Sequence, residues 1–192
     1  LVQEEVFEDF CEVFAEATKH LIVGDPRMEK TFMGPLISEA HLEKVSSLVE
    51  NARKENGKIL VGGERSALPP PFNKGFFYSP TVIKDLTNCS EVHQTEIFGP
   101  VVSINPFKYP HDAVKMANNT PYGLSASVWT NDLSKAHKIA ADLKVGTVWV
   151  NTWMTRDLRM PFGGMKSSGV GREGADESLD FFTETKTVCI QL

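Results

Sequence analysis

The chain of 192 residues carries 20 Lys and Arg against 25 Asp and Glu, a net charge of -5 with no basic block, which excludes a nucleic-acid backbone as its partner. Apolar residues make up 41% and charged residues 23%, the ordinary globular range, and no apolar run is long enough to span a membrane. Cys11, Cys89 and Cys189 are odd in number and far apart, which suits reduced thiols of a cytoplasmic protein better than a disulfide framework or a zinc site.

Over residues 4–20, Val6, Phe7, Phe10, Cys11, Phe14 and Ala17 recur at the i, i+3, i+4, i+7 spacing of an amphipathic helix. The chain starts almost inside that helix, without the usual lead-in, so it is expected to begin within a longer protein. Gly24-Asp25-Pro26 breaks the pattern. A second helix is predicted with Ser38 as its N-cap, an apolar stripe of Leu42, Val45, Leu48, Val49 and Ala52, and a stop at Gly57. Residues 58–61 read as a short strand, and 68–75, with three consecutive prolines, as a surface loop. Residues 76–82 and 101–107 are aromatic and β-branched runs bounded by Gly and Pro, hence strands. Helical spacing returns at Ala113, Val114 and Ala117. A strand over 124–130, a helix stripe of Leu133, Ala136, Ile139, Ala140 and Leu143, and a strand over 146–150 follow. Such a β-α-β run implies parallel strands, and the fold class is α/β, a largely parallel sheet flanked by helices. The alternating run 183–192 predicts a terminal strand with no later partner in the chain, whose edge another subunit could supply.

Gly169, Gly171 and Gly174 match the G-x-G-x-x-G pattern of a dinucleotide-binding turn, but no strand pattern precedes them and too little chain follows for a βαβ unit. Glu96, just before a predicted strand, could accept hydrogen bonds from ribose hydroxyls or be a solvated loop carboxylate. Asn151 follows a strand end, where ligand crevices of parallel sheets lie, and could equally be a turn residue. Arg156 and Arg159 suit a bidentate carboxylate clamp, and Asp157 between them offers a local ion pair instead. Cys11 on the apolar helix face is expected to be buried and inert, and Cys189 to pack rather than react. The five histidines show no metal-ligand spacing and are expected to be solvated or capping.

Four blocks, EIFGP at 96–100, GLSASVWTND at 123–132, GTVWVN at 146–151 and PFGGMKSSGVGREG at 161–174, resemble in order and spacing the C-terminal half of an NAD(P)-dependent aldehyde dehydrogenase. VQEEVF near the start and GPLIS at 34–38 resemble the family's segment just after its catalytic cysteine, so the likeness covers essentially the whole chain. The stretch NTWMTRDLRMPFGG is most similar to the branch acting on 2-aminomuconic and 2-hydroxymuconic semialdehydes. The resemblance implies a cysteine that attacks the aldehyde, hydride transfer to a nicotinamide, and hydrolysis of the thioester by a glutamate-activated water. It places that cysteine and that glutamate upstream of Leu1, so no catalytic residue is expected here. It makes Glu96 a ligand of the nicotinamide-side ribose and Phe98 a residue packing near the nicotinamide. Phe162 and Trp153 would line the substrate tunnel, with Arg156, and more weakly Arg159, binding a distal carboxylate. NAD is the implied cofactor, NADP being its alternative, with a small aldehyde substrate, residues 1–182 as an incomplete catalytic domain, and 183–192 as the oligomerisation strand of a homodimer or tetramer. The competing class is a non-catalytic, aldehyde-dehydrogenase-like subunit serving assembly.

Overall fold

A computed structural model describes the backbone of all 192 residues and every side chain but that of Ala175. The chain forms two compact units, Leu1–Ala113 and Val114–Leu192. In the first, β1 (Val2–Gln3) leads into α1 (Phe7–Lys19), followed by α2 (Glu39–Lys54), β2 (Lys58–Val61), β3 (Thr81–Lys84), the one-turn α3 (Glu91–Gln94), β4 (Val101–Ile104) and β5 (Pro106–Phe107). Helix α4 (Pro110–Asn118) runs from the first unit into the second, which adds β6 (Tyr122–Gly123), β7 (Ser125–Val128), α5 (Leu133–Asp142), β8 (Thr147–Val150), β9 (Met165–Lys166) and α6 (Ala175–Phe182).

The first unit is layered around β3, all four of whose residues are buried. Successive side chains of a strand point to opposite faces. Val82 accordingly packs with Phe7 and Cys11 of α1, whereas Ile83 packs with Leu42, Val45, Val49 and Ala52 of α2. By the same alternation Lys84 emerges on the α1 side, where its ammonium meets the Glu8 carboxylate at 2.6 and 2.8 Å. That pairing lets a lysine occupy a buried strand position, because a lone buried ammonium would be costly. Strand β4 pairs parallel with β3, and β2 pairs antiparallel on the other edge through a register shift between Ile59 and Val61. Ser38 caps α2 as its spacing predicts, accepting the His41 N–H.

In the second unit β7, α5 and β8 form the expected β-α-β run, with β7 and β8 parallel from Ser125↔Thr147 to Val128↔Val150. Asp132 starts α5 by accepting the Lys135 N–H, and β6 pairs antiparallel with β9. The architecture is α/β with sheets flanked by helices, mostly parallel, with β2 and the β6–β9 pair as antiparallel additions.

The expected strand 76–82 is displaced to Thr81–Lys84. Pro80 has no N–H to give a ladder, and the buried Phe77 and Tyr78 lie beside it, Tyr78 making only an isolated antiparallel bridge with Arg65. Cys189 is exposed, not packed. Residues 183–192 lie exposed, with Thr183 in extended backbone and no strand pairing among the described residues.

Candidate functional site

The loop between α3 and β4 carries Glu96 and Phe98. Phe98 has a positive φ of 57°, a conformation that a bulky side chain rarely adopts. Its ring is 75% exposed. Three residues of one α2 face hold this loop. The His41 Nε2–H donates to the Phe98 carbonyl at 2.7 Å, and the two rings meet edge to face with centroids 6.0 Å apart. Lys44 Nζ donates to the Glu96 carbonyl at 2.7 Å. Gly99 lies so close to the helix that a Cβ there would sit 2.7 Å from Val45 Cγ2. Glu96, Phe98 and Gly99 border an open hollow of about 380 Å³, with Thr95, Ile97 and Ser103 among its other walls. An exposed aromatic and an exposed carboxylate on a fixed backbone can flank a planar ring and accept from vicinal hydroxyls.

In the second unit the chain leaves β8 through Asn151, whose amide is spent on the turn: Nδ2 donates to Thr130 O and Oδ1 accepts the Thr130 N–H, both at 2.8 Å. The turn-residue reading of Asn151 is the one observed. Trp153 follows, 61% exposed, its ring edge to face with the buried Trp149 at 5.1 Å. Arg156 lies over the Phe162 ring, 4.1 Å from its centroid, and its Nη2 reaches Glu173 Oε1 at 3.2 Å. Phe162 and Glu173 are tied to each other by two backbone hydrogen bonds of 2.8 Å. The guanidinium is therefore held at its face by an aromatic and at one end by a carboxylate, with donors to spare for a planar anion. Arg159 is different. It forks onto Asp157, its neighbour but one, in the local ion pair that the spacing allowed, and is largely exposed.

The glycine-rich segment does structural work here. Glu173 N–H goes to Phe162 O and Gly174 N–H to Ser178 Oγ, so these two amides at the start of α6 are already used. Arg172 staples the turn from within, Nη1 donating to Gly164 O and Gly171 O. The segment presents Phe162 and Glu173 side by side.

The thiols agree in part with expectation. Cys11 is buried, and burial pushes its pKa up, against the thiolate. Two histidines depart from a solvated or capping role: His41 holds the Phe98 carbonyl, and the half-buried His93 bonds Thr87 O through Nδ1. Neither the His41 contact nor the Glu173 partner of Arg156 has a local sequence signal, because the partners are 57 and 17 residues away. Among the described residues no group of three or more His, Cys, Asp or Glu is arranged to hold a metal ion, and no helix is long and apolar enough to cross a membrane.

The sequence pattern of the aldehyde dehydrogenase family matches residues 1–188. The chain belongs to the aldehyde dehydrogenase family. It is 45% identical to 2-aminomuconic semialdehyde dehydrogenase of Bos taurus, over 99% of this chain and 39% of that protein. It is 41% identical to 2-hydroxymuconic semialdehyde dehydrogenase of Pseudomonas sp. strain CF600, over 100% of this chain and 39% of that protein. An NAD+ complex of aldehyde dehydrogenase from Bacillus cereus superposes with a TM-score of 0.91 at 38% identity, covering 97% of this chain and 37% of that one. Betaine aldehyde dehydrogenase from Staphylococcus aureus, in complex with NAD+, gives a TM-score of 0.89 at 35% identity, covering 94% and 36%. The chain thus spans about two fifths of the length of the curated relatives it matches.

Proposed function

We propose that this chain is the C-terminal part of the catalytic domain of an NAD(P)+-dependent aldehyde dehydrogenase that oxidises an acidic semialdehyde, such as 2-aminomuconic semialdehyde, to the carboxylic acid. The observation that carries the substrate assignment is the immobilised guanidinium of Arg156, stacked on Phe162 and anchored by Glu173. The semialdehyde dehydrogenases among its relatives support the same class.

A nicotinamide cofactor, when bound, supplies the two-electron oxidant, and the relatives solved with NAD+ support that choice, with NADP+ the alternative. The residues present fit it: Glu96 would accept from the ribose hydroxyls and Phe98 would flank the nicotinamide ring. Arg156 orients the distal carboxylate, while Phe162 and Trp153 form apolar walls and Arg159 is at most an outer contact. Nucleophile and general base are assigned to residues preceding Leu1. Cys11, buried and resistant to ionisation, is unsuited to the role, since a nucleophilic cysteine needs an accessible thiolate. The reading includes a cytoplasmic homo-oligomer paired through residues 183–192.

Steady-state kinetics of the complete enzyme test this. Arg156→Ala is expected to raise KM for acidic semialdehydes about tenfold, the loss of a charge-assisted hydrogen bond, and to leave neutral alkanals unmoved. Equal effects on both substrate classes would remove the clamp. A complete protein inactive on both classes with either cofactor would favour the assembly subunit instead.

A further inference from the structure

The face of α2 formed by His41, Lys44 and Val45 occupies positions i, i+3 and i+4 of one helix, and each touches a different residue of the loop after α3. Lys44 takes the carbonyl of Glu96, His41 the carbonyl of Phe98, and Val45 stands where a Cβ on residue 99 would come within 2.7 Å of its Cγ2. Residues at this spacing form a single row on a helix surface. A row fixed by α2 can therefore act as a template for three near-consecutive loop residues. The loop needs one. Phe98 sits at a φ of 57°, and a non-glycine residue stays in that region only where its surroundings over-determine it. Its exposed ring supplies little of that constraint, being 75% accessible. The constraint falls on its carbonyl, and the group that meets the carbonyl is His41.

We infer that His41 is a positioning residue for the cofactor loop, holding Phe98 in its left-handed conformation through the Nε2–H to carbonyl hydrogen bond and so presenting Glu96 and Phe98 to the nucleotide. This rests on the cofactor reading of Glu96 and Phe98 given above. The donor is present in the Nε2–H tautomer and in the protonated ring alike, so the hold does not depend on the charge of the imidazole. Lys44 cannot substitute for it, because its ammonium is engaged two residues earlier at Glu96 O.

Two measurements on the complete protein separate the inference from the cofactor reading. In the cofactor-free state, hydrogen exchange of the amides of Ile97, Phe98, Gly99 and Val101 is expected to quicken about tenfold in His41→Leu and to return towards wild type in His41→Gln, whose amide restores a donor. By calorimetric titration with NAD+, His41→Leu is expected to raise Kd fivefold or more, with His41→Gln within about twofold of wild type. Unchanged exchange in His41→Leu overturns the inference, as does a His41→Gln variant that behaves like His41→Leu in both measurements. Glu96→Ala is the control for the other reading: NAD+ affinity unaffected by it overturns the cofactor assignment, while the exchange measurement still decides the role of His41.

Discussion

Gly99 shows how much of the candidate site depends on one missing methyl group. A Cβ there would stand 2.7 Å from Cγ2 of Val45, itself fully buried among Leu42, Tyr78 and Ile83 and unable to retreat. Gly99→Ala should therefore cost about 1–3 kcal/mol, the usual penalty for overpacking a close-packed core. Adding Val45→Ala opens room for the new methyl. In a double-mutant cycle from urea denaturation, the pair should be less destabilising than the sum of the single changes, and strict additivity would mean that the two sites do not touch. Gly99 and Pro100 were legible as the boundary before a strand, and Glu96 and Phe98 as candidates for cofactor contact through the family motif. The hold exerted by His41 and Lys44 was not, because a contact across 57 residues leaves no trace in local spacing. The same holds for Arg156. Its sequence neighbours left a clamp and a local ion pair both open, with Arg159 the weaker clamp candidate by the resemblance, and the folded turn shows the ion pair at Arg159 with Asp157 while bringing Glu173 and Phe162 to Arg156.

At the level of elements, those whose apolar stripe faces a partner within the chain were the readable ones: α1, α2, α5 and the β7–β8 pair sit where periodicity put them. Helix α6 was missed because Leu179, Phe181 and Phe182 are exposed and no inward stripe organises them. Strand β3 was shifted in the reading because Lys84, a charged residue at its end, looks like loop until Glu8 is seen beside it. The one-turn α3 is too short for any periodic signal, yet it carries a testable electrostatic consequence. Burial pushes the pKa of His93 below its ordinary value, opposed by its hydrogen bond to Thr87 O and by Glu55. The folded chain therefore resists a proton that the unfolded chain accepts near about pH 6.5. The neutral imidazole's contribution is complete above that pH and is lost as the pH falls through it towards the depressed folded value. His93→Gln should flatten the slope of unfolding free energy in the window just below pH 6.5, where carboxylates are still ionised. An unaltered slope would show that His93 titrates normally in the folded chain.

For the molecule as a whole, the exposed apolar side chains ask for a partner. Val188, Ile190 and Leu192 are exposed at alternate positions, the period of a strand, and follow a run in which Thr183, Thr185 and Thr187 supply β-branched residues. Large exposed apolar patches on a folded chain mark interaction surfaces, and an extended segment satisfies its N–H and C=O groups most directly at another sheet's edge. If that edge belongs to a second copy, pairing should be required for assembly and not for the folding of the first unit, since α1, α2 and the β2-β3-β4 sheet are built without it. Removing residues 183–192 from the complete protein should then lower its mass by light scattering to that of a smaller assembly, with far-UV circular dichroism and the thermal midpoint of the dilute protomer little changed. An assembly of undiminished size after the deletion would place the oligomer contact elsewhere, with the exposed face of α6, carrying Leu179 and Phe182, as the next surface to substitute.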